Sequence, residues 1–206
     1  PDVSWMQKLY ETYEQCQGRE TFGEMRLLPI SHTLQQIHIE ITIDADGNFK
    51  NAITIQKVET AIPATEKSAG RTANCAPHPL CDKVQYCAMD YSRYGGKKSS
   101  FYKEYEAQLS TWCDSEFSHP KARAVLKYVK NNHLLLDLVS EKVVHLDADG
   151  ILLTRWMNED KTPDIFRFLT AKAGERDQGD AFIRWQVLEP NNPCTAVWED
   201  RSLQNA

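Results

Sequence analysis

The chain has 206 residues, 41% hydrophobic and 26% charged, with a formal net charge of −5. That length supports a substantial buried core, and the acidic total excludes a globally basic nucleic-acid binder. No segment offers the roughly 18 uninterrupted apolar residues of a membrane span, and PDVSWMQKLYETYEQC has neither the basic nor the apolar region of a secretory signal, so the expected compartment is cytoplasmic with no membrane partner.

In chain order, Ser4 is a candidate N-cap, and Trp5, Met6, Leu9, Tyr10, Tyr13 and Cys16 recur at helical spacing up to Gly18, predicting an amphipathic helix. From Gln36 the period changes. Ile37, Ile39, Ile41 and Ile43 alternate with His38, Glu40 and Thr42, the pattern of a half-buried strand. Asp44-Ala-Asp-Gly-Asn48 supplies turn chemistry, and Phe49, Ile53, Ile55 and Val58 return, which predicts a hairpin. DADGN lacks the acidic residue that a calcium loop needs at its twelfth position, so it reads as a turn.

Beyond Pro63 the signals are loop-like through Pro79, and a helix is predicted from Leu80 to the Tyr94-Gly-Gly96 turn. Ser99 or Ser100 starts a helix carrying Phe101, Tyr105, Leu109, Trp112 and Cys113; Ser118 and Pro120 start another with Ala124, Val125, Tyr128 and Val129. Leu134–Leu146 is apolar and fits either helix or strand, and Asp147–Gly150 is a turn before a strand at Ile151–Trp156. A helical Pro163–Ala173 and a strand Ala181–Leu188 follow, then a short helix capped at Asp200. A helix that stops within two turns is marginal, so the chain is expected to be the N-terminal part of a longer protein. No repeat or low-complexity linker divides it, and the fold class is α+β: an early antiparallel hairpin with several packed helices.

Six cysteines in a chain of this size without a signal are expected as free thiols. Cys75, Cys81 and Cys87 recur every six residues, unlike the two-to-four spacing of paired zinc ligands, so no metal or cofactor is expected. Cys81 has His78 nearby, which leaves a thiol enzyme as an outside possibility; no phosphate-binding loop, nucleophile elbow or paired-histidine motif is present, and the chain is expected not to be an enzyme.

Charge is distributed unevenly. Lys57–Lys103 carries eight cations against four anions, while the remainder has 16 cations and 25 anions. That is the footprint of one polyanion-facing surface or of a solvated face. Within it, Thr65–Pro79 holds Lys67 and Arg71 for phosphates, Ser68 and Thr72 as hydroxyl donors, Asn74 for a base edge and Gly70 for close backbone approach. Lys83, Lys97 and Lys98 extend the basic set. An ordinary polar connection between hairpin and helix fits the same residues.

SAGRTANCAPHPLCDKVQY, then DYSRYGGKK and a helix carrying Trp112, resembles the large subunit of the type I-C CRISPR surveillance complex, Cascade. WMQKLYETYEQC, PISHTLQQIHIEITIDADGNF, AFIRWQVLEP and CTAVWEDRSL are similar in order, so the resemblance spans essentially the whole chain. It implies that residues 1–206 form the N-terminal α+β domain of that subunit, lacking its C-terminal helical region. It further implies a non-catalytic role: recognising the protospacer-adjacent motif (PAM) on double-stranded target DNA and helping to start strand separation for guide pairing. Implied partners are the CRISPR RNA, other Cascade subunits and a recruited helicase-nuclease. On this reading Lys67, Arg71, Lys83, Lys97 and Lys98 contact phosphate, and Ser68, Thr72 and Asn74 lie near base edges. The alternative is an assembly module that holds the guide RNA 5′ end or neighbouring subunits without reading bases.

Overall fold

The structure, a computed structural model, describes residues 4–16, 27–71, 75–158 and 161–206. At its centre is a three-stranded sheet ordered β2-β1-β3. Strand β1 (His32–Asp44) pairs antiparallel with β2 (Phe49–Pro63), as the alternating isoleucines predict. The Asp44 carboxylate accepts the backbone N–H groups of Asp46 and Asn48 at 3.0 and 2.9 Å, closing the hairpin. Gly47 adopts φ +77°, and a Cβ there would stand 2.8 Å from the Ala124 carbonyl oxygen, so glycine serves both the turn and the close approach of a helix.

Strand β3 (Ile183–Leu188) lies parallel to β1 on its other edge, in register from Ile39↔Ile183 to Asp44↔Leu188. Its outer edge is covered in turn, with Val187 N–H donating to the Thr195 carbonyl. One sheet face is apolar: Ile37, Ile39, Ile41, Ile43, Ile183, Trp185 and Val187 are fully buried. The opposite face is covered too, which alternation alone does not reveal. Glu40 accepts Arg184 Nε at 2.8 Å and Gln186 Nε2 at 2.6 Å, Arg184 also donates to Thr60 Oγ1 at 3.0 Å, and Trp198 lies 3.7 Å from the guanidinium. A buried ion pair is tolerated there because its remaining donors and acceptors are satisfied.

Helices α4 (Tyr102–Cys113) and α5 (Pro120–Val129) pack together over the apolar face, and Tyr128 meets Trp185 edge-on at 5.7 Å. α5 starts with Pro120 at its first turn, as expected. The ambiguous run Leu134–Leu146 becomes helix α6 (Leu134–Ser140), whose N-terminal amides at Leu135 and Leu136 donate to the buried Asp90 carboxylate. Helix α8 (Arg201–Gln204) begins at Asp200, which accepts Ser202 N–H at 3.0 Å and also binds the fully buried Lys121 Nζ at 2.5 Å.

Several expectations are corrected. Helix α1 (Trp5–Cys16) forms, but its apolar face is open: Trp5, Met6, Leu9 and Tyr10 are each more than half exposed, and Tyr13 Oη donates to the Leu28 carbonyl at 2.8 Å. Gly18, its expected stop, lies outside the described residues. The helix expected from Leu80 is split into one turn, α3 (Val84–Cys87), and a 3-10 turn at Tyr91–Tyr94, because Leu80 sits at φ +67° and both Lys83 and Ala88 are extended. The strand expected at Ile151–Trp156 is a single bridge, Leu146↔Leu152; past it the Gln178 side chain takes over, donating to the carbonyls of His145 and Leu153 at 2.8 Å. The helix expected to reach Ala173 ends at Phe168 (α7, Asp164–Phe168), since Leu169 turns extended to bury its side chain.

Candidate nucleic-acid interface

The segment Thr65–Pro79 leaves β2 through one helical turn, α2 (Glu66–Ala69), fixed by a reciprocal capping box: Ser68 N–H donates to Thr65 Oγ1 at 3.1 Å and Thr65 N–H to Ser68 Oγ at 2.8 Å. Ser68, named from the sequence as a phosphate donor, is therefore buried and spent on the cap. Lys67 on the same turn is exposed and has no ion pair among the described residues.

Arg71 has a different environment from that expected of a surface cation. Its Nη1 and Nη2 donate to the two oxygens of Asp82 at 2.7 and 2.6 Å, and Nη1 also reaches the Ala76 carbonyl at 2.8 Å. The guanidinium stacks 4.5 Å from the Tyr86 ring centroid, leaving its side chain 11% exposed over a fully buried Asp82. Asp82 further accepts the backbone N–H groups of His78 and Lys83, each at 2.7 Å. One carboxylate thus gathers residues 71, 78 and 83 and closes the loop at its base. Thr72 and Asn74 lie outside the described residues.

Beneath this staple, burial disfavours thiolate–imidazolium chemistry. The Cys81 thiol is pushed up to about 12 by desolvation, and the His78 ring is lowered to about 4 by desolvation, Asp82 opposing and Arg71 and Lys83 assisting. A nucleophilic cysteine with a basic histidine needs both shifts reversed. All six cysteines are free, with Cys81, Cys87 and Cys113 buried and Cys75 exposed. No group of three His, Cys, Asp or Glu among the described residues is arranged to hold a metal ion.

Lys83 and the adjacent pair Lys97 and Lys98 converge on carboxylates of the sequence-distant segment 175–180. Asp180 accepts Lys83 at 3.0 Å and Lys98 in a shorter bond, with Lys172 at 3.6 Å; Asp177 stands 3.6 Å from Lys98; Glu175 pairs with Lys97 at 2.5 Å and Arg155 at 3.8 Å. Although burial opposes it, the Lys98 and Lys83 ammonium groups hold the Asp180 carboxyl below its ordinary value. Five cations therefore meet three carboxylates, and Lys97, Arg155 and Lys172 remain more than half exposed. Excess cations held at their bases by carboxylates keep their outer N–H groups available to a phosphate at little ordering cost.

A groove of about 470 Å³ runs between the hairpin (Leu34–Gln36, His38, Glu59) and Lys83, Lys172 and Asp180. A cleft of about 160 Å³ at Lys97, Lys98 and Glu175 shares Thr170, Lys172 and Asp180 with it, so the two make one cationic track. Phe182 joins this track to the loop base: Lys83 Nζ, the Arg71 guanidinium and the His78 ring lie 5.8, 5.9 and 6.1 Å from its ring centroid. A larger cleft of about 620 Å³ is lined by Ile30, Pro63, Pro79, Trp112 and Leu203 without a lysine or arginine. Its apolar lining does not suit a polyanion, and size alone does not make it the better candidate.

The sequence reading missed Lys172 and Arg155, and it counted Lys57 in the basic block without assigning it a contact. Only the parallel placement of β3 and the turn at Ala173-Gly174 (φ 51° and 78°) bring 172 beside 83. Lys57 lies in a bulge: β2 sets Ile55, Gln56 and Lys57 against the single His38 of β1. No sequence signal marked that irregularity.

No helix among the described residues is long and apolar enough to cross a membrane. Among curated proteins, none matches the chain closely enough to report. A family model described as CRISPR-associated protein (Cas_Csd1) matches residues 9–206, nearly the whole length, including both the Arg71–Asp82 loop base and the cationic track. The chain belongs to the CRISPR-associated Cas_Csd1 family.

Proposed function

We propose that this chain is a non-catalytic large subunit of a type I-C Cascade that grips double-stranded target DNA beside the PAM and helps to start strand separation. The observation that carries this reading is the cationic track, where Lys83, Lys97, Lys98, Lys172 and Arg155 outnumber Glu175, Asp177 and Asp180 beside a stapled loop. A phosphate backbone laid along the track meets donors already ordered by their carboxylates. Lys67 adds a free ammonium on the loop. Arg71, with its outer nitrogens bound to Asp82, acts by positioning the segment that contains Thr72 and Asn74, to which base-edge contacts are assigned. The CRISPR RNA, neighbouring Cascade subunits and the recruited helicase-nuclease are the partners of this reading.

The test is DNA binding by the assembled complex, using motif-positive and motif-negative duplexes across a salt series. Lys97→Ala with Lys98→Ala should weaken both duplexes alike and reduce the salt slope by about one to two, at about 0.9 per phosphate contact. Asn74→Ala should instead narrow the difference between duplexes, by about 1–3 kcal/mol. Unchanged affinity and slope in the double lysine variant would sink this assignment. A second reading, an assembly module that holds the guide RNA 5′ end or a neighbouring subunit, draws on the open apolar face of α1. Crosslinks from Lys67–Lys83 to RNA or protein, with none to DNA, would select it.

A further inference from the structure

His38 is 8% exposed on the central strand, and it lines the 470 Å³ groove. Its Nδ1 accepts the backbone N–H of Phe182 at 3.2 Å. A neutral imidazole has one donor and one acceptor nitrogen, so the proton resides on Nε2. No described residue accepts that proton. Burial and the nearby Lys57 and Lys83 ammonium groups lower the ring to about 4, against the opposing pull of Asp180, so the neutral form holds near neutral pH. The Nε2–H therefore opens on the groove, where an acceptor of a ligand can take the place of solvent.

The groups around this donor define the ligand. Lys83 and Lys172 line the groove, and Lys57 stands opposite His38 in the β2 bulge, near enough for its charge to act on the ring. The carboxylates present are Asp180, already taken by Lys83 and Lys98, and Glu59. We infer that this groove is a phosphate-binding site, in which His38 Nε2–H donates to one phosphate oxygen while Lys57, Lys83 and Lys172 neutralise its charge. Because the groove shares Thr170, Lys172 and Asp180 with the Lys97/Lys98 cleft, a phosphate of a longer polyanion fits it better than an isolated carboxylate. Resting on the nucleic-acid reading for the carrier of the phosphate, the site adds a contact at the hairpin that no surface lysine supplies.

Pyrophosphate is the probe, titrated into the chain with ¹⁵N-labelled histidine while the ring nitrogens are followed by NMR. The His38 Nε2 resonance is expected to shift saturably. His38→Asn keeps an acceptor for Phe182 but withdraws the groove donor, and should weaken pyrophosphate about tenfold; His38→Gln, which restores an N–H at the Nε2 position, should recover most of that loss. Lys172→Ala leaves the shell of His38 intact and should also weaken it about tenfold, which separates binding from misfolding. An unmoved His38 resonance at saturation, or wild-type affinity in His38→Asn, overturns the site while leaving the Lys97/Lys98 duplex result untouched. Pyrophosphate held at His38 with no loss of duplex binding in His38→Asn supports the phosphate site and refutes nucleic acid as its carrier.

Discussion

Removing Arg71 leaves the Asp82 carboxylate buried with a charge that two backbone amides only partly satisfy. Arg71→Ala should therefore lower stability by about 3–5 kcal/mol, the range for stranding one partner of a buried pair, measurable by urea denaturation. Arg71→Lys should recover little, because one ammonium cannot replace the two-pronged contact. Two buried rings carry a pH signature. His38 and His78 are both lowered to about 4, by burial first, with Lys57 and Lys83 adding at His38, Arg71 and Lys83 at His78, and Asp180 and Asp82 respectively opposing. Unfolded histidine titrates near 6.5, so the unfolded chain binds more protons between these values. Stability is full above about pH 6.5 and falls toward pH 4, by up to ~1.4 kcal/mol per pH unit for each ring. Unfolding free energies at pH 7, 6 and 5 check this, and His78→Gln should flatten the slope by about one proton. Residue types in Thr65–Pro79 were legible as a polar, cation-bearing loop. The spending of Ser68 on a cap and of Arg71 on Asp82 was not, because both depend on which polar group folding brings alongside.

At the scale of elements, the tie between α5 and α8 rests on Lys121. Its ammonium is fully buried against Asp200 and the Cys194 carbonyl, each at 2.5 Å. Lys121→Met should cost about 3–5 kcal/mol by leaving Asp200 uncompensated. Asp200→Asn keeps the cap of α8, and a double-mutant cycle should return a coupling of about 1–3 kcal/mol; additive losses would mean the pair contributes no interaction of its own. The cap at Asp200, the Asp44–Asn48 turn and the Pro120 start were all readable, since each is local chemistry written in adjacent residues. The failures share a cause. Ile151–Trp156 has strand-like residues but no partner strand among the described residues, and Gln178 takes up its neighbouring carbonyls instead. Leu80–Tyr94 has helical spacing, interrupted where Leu80 turns left-handed to let its carbonyl accept Trp185 Nε1 at 2.8 Å and Tyr105 Oη at 2.6 Å.

Across the molecule, a net charge of −5 and a local cationic track are compatible because the acidic body limits indiscriminate polyanion binding. Affinity for nucleic acid should accordingly fall steeply with salt, and a shallow salt dependence in the assembled complex would argue for the assembly reading. The track itself was half legible: its sequence-local lysines were named, whereas Lys172 and Arg155 arrive through topology alone. That topology has a kinetic side. The last strand docks beside residues 144 positions earlier, as Arg184 meets Glu40. A ribosome must therefore add more than 140 further residues before the isoleucine-rich central strand gains its second neighbour. Until then one unpaired edge of β1 stays open to the wrong partner. Such distant pairing slows folding, so newly made chains should depend on chaperones until β3 has docked.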